Sequence, residues 1–239
     1  TTSLIYHIFK EAGMDCALVG NIGYSIAKQV KEDPKEWYVA EISSFQLDDI
    51  HEFRANVAVL TNITEDHLDR YDYKLENYIR SKFRITENQD FDVIVDFAHT
   101  PDSFEKLFKD LKPVVKGKLI VLFGSAGRRD EAKRAVQGKL AGQYADEVVI
   151  TEEDDRDIDG YEIMNQIAEG AESAGKVREK DLFLVHDRSE AIEFAITRAQ
   201  KGDTVLLLGK GHEKTIERAN GENPWDEVGT AQAALAKRT

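Results

Sequence analysis

The chain alternates short apolar runs with longer amphipathic stretches almost from end to end. In its second half, Val93 to Phe97, Lys118 to Phe123, Glu147 to Ile150, Leu182 to Val185 and Thr204 to Leu208 are compact and rich in Val, Ile, Leu and Phe. Apolar runs of that length predict strands buried on both faces. Between them, Ser103 to Leu111, Glu131 to Tyr144, Tyr161 to Ala174 and Ser189 to Arg198 predict helices. The first half has the same rhythm in shorter pieces. A helix is expected over Ser3 to Ala12, with Leu4, Ile5, Ile8 and Phe9 on one face, then a strand over Cys16 to Val19 and a turn at Gly20-Asn21-Ile22-Gly23. A short helix to about Val30, a strand over Trp37 to Ile42 and a helical turn over Phe45 to Ile50 follow. A strand over Val57 to Leu60 and a helix over Glu76 to Asn88 complete the half.

Strands spaced by helices of this length predict βαβ units with right-handed crossovers. The expected class is α/β, with mainly parallel sheets and flanking helices. The short polar stretch Glu87-Asn88-Gln89-Asp90 marks a boundary, giving two lobes over residues 1–90 and 91–239.

Composition narrows the class of protein. Of 239 residues, 41% are hydrophobic and 32% charged, which suits a globular chain with a core of its own. No apolar run approaches the roughly 20 residues of a membrane helix, and no signal peptide is visible, so a cytoplasmic protein off the membrane is expected. Thirty-two basic against 45 acidic residues leave a net charge of −13, which disfavours nonspecific binding to nucleic acid. Cys16 is the single cysteine, so no intrachain disulfide forms, and its place in CALVG predicts plain packing.

Candidate chemistry gathers where predicted strands end, which is where α/β proteins place their sites. Glu41 ends the strand in YVAEISSFQL and is followed by Ser43 and Ser44. That arrangement could hold Mg²⁺ through water or could simply face solvent. Glu65, Asp66, His67 and Asp69 crowd four possible ligands together, although Thr64 as a helix N-cap would explain acids there equally well. Lys82 falls on an amphipathic pattern and by default is a solvated lysine. Asp96 to Ser103 presents His99, Thr100 and Asp102 after a strand, with Pro101 suited to a first helical turn. Phe123 to Asp130 is a glycine-containing turn with Arg128 and Arg129, a type that brings N–H and guanidinium donors toward anions. The acidic run Thr151 to Asp159, with Arg156 inside it, reads as a solvated loop or as a site for a cationic substrate. Gly209, Lys210, Gly211, His212 and Glu213 follow the last strand and have the look of a site.

Together these stretches resemble the Mur ligases, the ATP-dependent enzymes that build the peptide stem of peptidoglycan precursors. GNIG, EISSFQL, TEDHLDRY and YIRSKFRI, within residues 20 to 88, resemble the central domain of the D-glutamate-adding member. VDFAHTPDS, FGSAGRRD, the DDR loop and LGKGHE, within residues 91 to 239, resemble the C-terminal domain of the member that adds the third residue to UDP-MurNAc-L-Ala-D-Glu. The resemblance implies a truncated P-loop-type central domain followed by a Rossmann-like one. It implies ATP and Mg²⁺ as cofactors and an acyl-phosphate intermediate attacked by the incoming amine. The implied partners are a UDP-MurNAc-peptide and a free amino acid, diaminopimelate or lysine, handled by a monomer.

Residue by residue, the resemblance makes Glu41, His67 and a carbamylated Lys82 the metal ligands, with Lys82 and His67 catalytic. Asn21 and Ser43 stand near nucleotide and metal, Thr1 or Thr2 is the Mg²⁺-binding hydroxyl, and His99, Asp102, Arg128 and Asp130 border ATP. Arg156, Gly209 and Glu213 hold the incoming amino acid. The chain opens at Thr1-Thr2-Ser3, where the family has just closed its phosphate loop GxxGK[ST], and Phe91 follows the Lys82 helix almost at once. The expectation is therefore a fragment or chimera of a ligase, weak in ATP turnover by itself, with a non-catalytic α/β module as the alternative. Asp154-Asp155-Arg156 stands where diaminopimelate-adding members carry Asp-Asn-Pro-Arg, which leaves the choice of amino acid open.

Overall fold

The computed structural model describes residues 1–56, 58, 68–86 and 90–238. The strand expected over Val57 to Leu60, the N-cap expected at Thr64 and the ligands Glu65, Asp66 and His67 lie outside the described residues or nearly so. The chain divides into two compact units, Thr1–Asn88 and Gln89–Thr239.

The first unit holds α1 (Thr2–Glu11), β1 (Cys16–Gly20), α2 (Ile26–Glu32), β2 (Trp37–Glu41), α3 (Ser44–Leu47) and α4 (Leu75–Phe83). Strands β1 and β2 pair in parallel, Cys16 opposite Trp37 and Gly20 opposite Glu41. Gly20 has φ +97°, and a Cβ there would sit 2.3 Å from the Glu41 carbonyl oxygen, so the close approach of the strand ends needs glycine. Cys16 is buried in β1, as packing predicts. The helix expected over Glu76 to Asn88 ends earlier, at Phe83, and continues as a 3₁₀ turn over Arg84–Thr86. Ser81 fastens α4 to α3: its Oγ donates to the Ser44 carbonyl at 2.8 Å and lies 2.7 Å from Asp48 Oδ1.

The second unit holds β3 (Asp92–Asp96), α5 (Pro101–Leu111), β4 (Leu119–Phe123), α6 (Ala132–Tyr144), β5 (Glu147–Ile150), α7 (Gly160–Ser173), β6 (Leu182–Leu184), α8 (Arg188–Arg198) and β7 (Thr204–Leu208). These are followed by β8 (Thr215–Arg218), β9 (Gly221–Pro224) and α9 (Glu227–Arg238), for which the apolar pattern gave no warning. The five-stranded sheet runs β3-β7-β4-β5-β6, parallel throughout, while β8 and β9 form a separate antiparallel hairpin. Every residue of β4 (LIVLF) and β7 (TVLLL) is buried, because helices cover both faces. On one face Ile120, Leu122, Val205 and Leu207 pack with Ile192 and Ile196 of α8 and Ala231 of α9. On the other, Phe104 and Phe108 of α5 meet edge to face, and Phe104 does the same with Phe123. Thr100 caps α5, with Pro101 at its first turn, where a missing N–H costs nothing. No helix among the described residues is long and apolar enough to cross a membrane.

Candidate functional site

Parallel pairing puts the carboxyl ends of all five strands along one edge of the sheet. Strand β7 returns to lie between β3 and β4, so the strand order switches direction there, the usual place for a ligand crevice. A cavity of about 820 Å³ opens at that edge, lined by the loops after β3, β4, β5 and β7. Phe97, His99 and Thr100 come from the first loop, and Arg129 and Asp130 from the second, with Lys133 just behind on α6. Glu153, Asp154 and Arg156 come from the third, Gly209 and Glu213 from the fourth.

Five of the residues to which the resemblance gives a role thus meet here: His99, Asp130, Arg156, Gly209 and Glu213. The His99 ring lies 4.8 Å from the Phe97 ring, and its carbonyl accepts from Lys133 Nζ at 3.2 Å and Gln137 Nε2 at 3.0 Å. Asp130 Oδ1 accepts from the Ala132 amide. Arg156 sits at φ +57°, uncommon for a side chain of that size, and the hairpin holds it there. Its N–H donates to the Glu217 carbonyl at 3.1 Å, its Nε to Glu217 Oε2 at 2.7 Å, and its Nη1 to the Gly127 carbonyl. Lys210, 1% exposed, is shared between Asp154 at 2.9 Å and Glu213 at 2.6 Å. Gly209 has φ +101°, a conformation that favours glycine, and a Cβ there would lie 2.5 Å from Glu153 Oε2, so the two loops approach closely at this point.

Two expected members stay outside. The Asp102 carboxylate is exposed and paired with Lys106 at 2.9 Å, one helical turn on. Arg128 is likewise exposed and pairs with Asp157. In the first unit, Asn21 Nδ2 donates to Glu41 Oε1 at 3.3 Å, Ser43 donates to Gln46 Oε1, and the Lys82 ammonium lies 4.9 Å from the Tyr78 ring centroid. Thr1 and Thr2 open α1, the Thr1 carbonyl accepting the Leu4 and Ile5 amides. His67 lies outside the described residues.

Glu153 has no counterpart among the expected residues. It is 7% exposed, lines the cavity, and no hydrogen bond or ion pair to its carboxylate exists among the described residues. Burial pushes its carboxyl up. Asp154 adds to this, while Arg188, Lys133 and Lys210 oppose it without cancelling it. The folded chain therefore keeps a proton that the unfolded chain has already released, and stability falls as pH rises from the ordinary carboxylate range through the raised value. Glu153→Gln is expected to raise the melting temperature at neutral pH, with the gain vanishing once both states are protonated in acid. Thermal melts across pH check this; an equal gain at every pH would contradict it.

Beneath the cavity, Arg188 is fully buried. Burial works against its charge, and the Glu227 carboxylate, helped by Glu153 and Glu152, more than offsets that and raises its pKa. It donates to Glu227 at 2.7 and 2.9 Å, to the Glu152 carbonyl at 3.0 Å and to the Leu208 carbonyl at 2.7 Å. One guanidinium thus ties the loop after β5 to the end of β7. Glu152, Asp155 and His186 bring three potential metal-ligand atoms within 4.8 Å of one another. Arg218 already donates to both Glu152 oxygens, and His186 Nε2 lies 2.9 Å from Asp155 Oδ2, so the cluster is a hydrogen-bonded brace for the loop.

A family profile described as Mur ligase, glutamate ligase domain, matches residues 81–211. A UDP-N-acetylmuramyl-tripeptide synthetase of Roseiflexus sp. (strain RS-1) is 48% identical over 154 residues, covering 64% of this chain and 30% of that protein. A UDP-N-acetylmuramoylalanine--D-glutamate ligase of Bacteroides fragilis is 47% identical over 152 residues, covering 64% and 32%. A tripeptide synthetase of Borreliella burgdorferi is 39% identical over 204 residues, covering 83% and 39%. The chain spans about a third of the length of these relatives. Among solved structures, a UDP-N-acetylmuramoyl-L-alanyl-D-glutamate--2,6-diaminopimelate ligase superposes with a TM-score of 0.59 at 28% identity, over 71% of this chain and 36% of that one.

Proposed function

This chain belongs to the Mur ligase family, and on that premise we propose that it forms part of a cytoplasmic, monomeric, ATP-dependent ligase of peptidoglycan precursors. The step proposed is addition of the third amino acid to UDP-MurNAc-L-Ala-D-Glu. The observation that carries this reading is the meeting of His99, Asp130, Arg156, Gly209 and Glu213, from four separate motifs of the sequence, around one cavity at the strand-switch edge.

The residues present fit the cofactors. Arg129 and Lys133 offer cationic donors to a polyphosphate, and among the described residues Lys133 donates to the His99 carbonyl and forms no ion pair. Glu41 accepts from Asn21 through one oxygen, which leaves the hard carboxylate ligation that Mg²⁺ takes. ATP, when bound with Mg²⁺, supplies the phosphoryl group that activates the substrate carboxylate. The chain's own part is to orient. In the second unit, Arg129 and Lys133 would meet an anionic group; in the first, Glu41, His67 and a carbamylated Lys82 are the residues that would hold Mg²⁺. Asp154 and Glu213 both pair with the buried Lys210 and fix its position, which stiffens the floor between the loops.

Calorimetric titration of the chain with Mg·ATP tests this. Binding is expected, weakened about tenfold by Lys133→Ala, the scale of one charge-assisted contact. No heat from a cooperatively folded chain would sink the ATP reading and leave a non-catalytic α/β module.

A further inference from the structure

We infer that Gln137 is a positioning residue for the cationic side of the cavity: it keeps the His99 carbonyl paired when Lys133 leaves that carbonyl for a phosphate. The inference rests on the ATP reading above and adds to it how the loop after β3 keeps its place.

Lys133 and Gln137 stand four positions apart on α6, so their side chains leave the same face of the helix. Both reach the loop after β3 and donate to one acceptor, the His99 carbonyl, Lys133 Nζ at 3.2 Å and Gln137 Nε2 at 3.0 Å. A carbonyl oxygen has two lone pairs, so it takes both donors at once. The anchored residue carries part of the cavity wall. His99 Nδ1 lies 2.9 Å from the Phe97 carbonyl oxygen, and the Phe97 ring lies 4.8 Å from the His99 ring and 4.9 Å from the His212 ring.

The two donors differ in what else they can do. Lys133 lines the cavity, forms no ion pair among the described residues, and carries the charge that a polyphosphate attracts. Gln137 is fully buried and is not part of the cavity lining, and its Oε1 has no partner among the described residues. A buried amide with half of its hydrogen-bonding capacity unmet is costly, and an apolar side chain of similar volume would avoid that cost. The His99 carbonyl is the contact the amide retains, which makes that contact the physical reason for a glutamine here. A division of labour follows. Lys133 is the donor that a phosphate draws away, and Gln137 is the fixed donor that stops the carbonyl from losing every partner.

The test is a double-variant cycle, read by calorimetric titration of the full chain, Lys133→Ala, Gln137→Met and the two together with Mg·ATP. Methionine nearly conserves the volume and removes the donor. With Lys133 present, Gln137→Met is expected to weaken binding about tenfold, the scale of leaving a part-buried carbonyl without a donor. With Lys133 already removed, it is expected to change the affinity by less than about twofold, because the carbonyl is then unpaired before and after binding alike. Equal weakening in both backgrounds means that the glutamine only supports the fold, which overturns the inference and leaves the ATP reading standing. A second readout needs no Gln137 variant. Saturating Mg·ATP is expected to move the carbon resonance of the His99 carbonyl toward weaker hydrogen bonding in the parent chain and to leave it in place in Lys133→Ala. No movement in the parent, or the same movement in both, also overturns the inference. No heat from the cooperatively folded parent overturns both.

Discussion

Arg188→Ala is expected to destabilise the second unit by about 3–5 kcal/mol, the range for breaking a buried ion pair by removing one partner. Both Arg188 and Glu227 are fully buried. Without the guanidinium, Glu227 keeps, among the described residues, only the indole N–H of Trp225 at 2.7 Å, and its carboxylate is fully buried. The Glu152 and Leu208 carbonyls each lose a donor as well. Urea denaturation at neutral pH measures the loss, and a change under about 1 kcal/mol would show that the pair is not what holds these loops. The double variant Arg188→Met with Glu227→Leu separates two roles. It fills the space without charge and is expected to recover most of the stability, since apolar replacement of a buried pair is often neutral or better. It cannot restore the two carbonyl contacts, so the loops after β5 and β7 are expected to exchange amide protons faster than in the parent.

Gly138→Ala is expected to cost about 2 kcal/mol or more despite placing a better helix former in α6. Alanine gains about 1 kcal/mol of helix propensity over glycine. Against that, the new methyl would lie 1.9 Å from the Ile167 carbonyl oxygen of α7, and backbone cannot swing aside as a flexible side chain does. Gly170 on α7 has the reciprocal relation, 2.0 Å from the Ala135 carbonyl of α6. The two helices touch backbone to backbone, and one methyl forces them apart along their length, the overpacking penalty of about 1–3 kcal/mol or above. Gly170→Ala is expected to cost a similar amount, and the pair together less than the sum, because helices once separated accommodate the second methyl. Thermal and urea unfolding check both. A stabilised Gly138→Ala would mean that α6 and α7 do not pack this closely.

These cases show where the chain was readable. LIVLF and TVLLL could be taken as buried strands because their apolar character is continuous and their ends are punctuated by glycine or charge. The hairpin carries a turn signal, Asn220-Gly221, with Gly221 at φ +104°, yet its flanking strands are four residues each and mostly polar, so no alternation announces them. Helix α9 was hidden for a related reason: its buried face is alanine, Ala231 and Ala234, and a stripe of alanines barely rises above its background. The Lys82 helix was extended too far because periodicity does not see a 3₁₀ turn.

The candidate site divides along the same physical line. His99, Asp130, Arg156, Gly209 and Glu213 stand in short loops next to strand ends, and local pattern suffices to notice them. Asp102 and Arg128 stand in the same loops but point outward to local partners, Lys106 and Asp157. Sequence carries no sign of which way a loop side chain turns. Glu153 is the reverse case. Inside TEEDDRDID it looks like one more solvated acid, yet in the fold residues distant in sequence, Gly209 and Arg188 among them, close around it. Gly209 itself is visible in the sequence, but the carboxylate packed against it is not.

Glu217 belongs to none of the five-stranded sheet's strands, yet it grips Arg156 in the acidic loop and, through its amide, Asp154 as well. The hairpin is exposed along most of β9 and contributes little to the core. The posture of two cavity-lining residues is therefore set in part by a segment outside the parallel sheet.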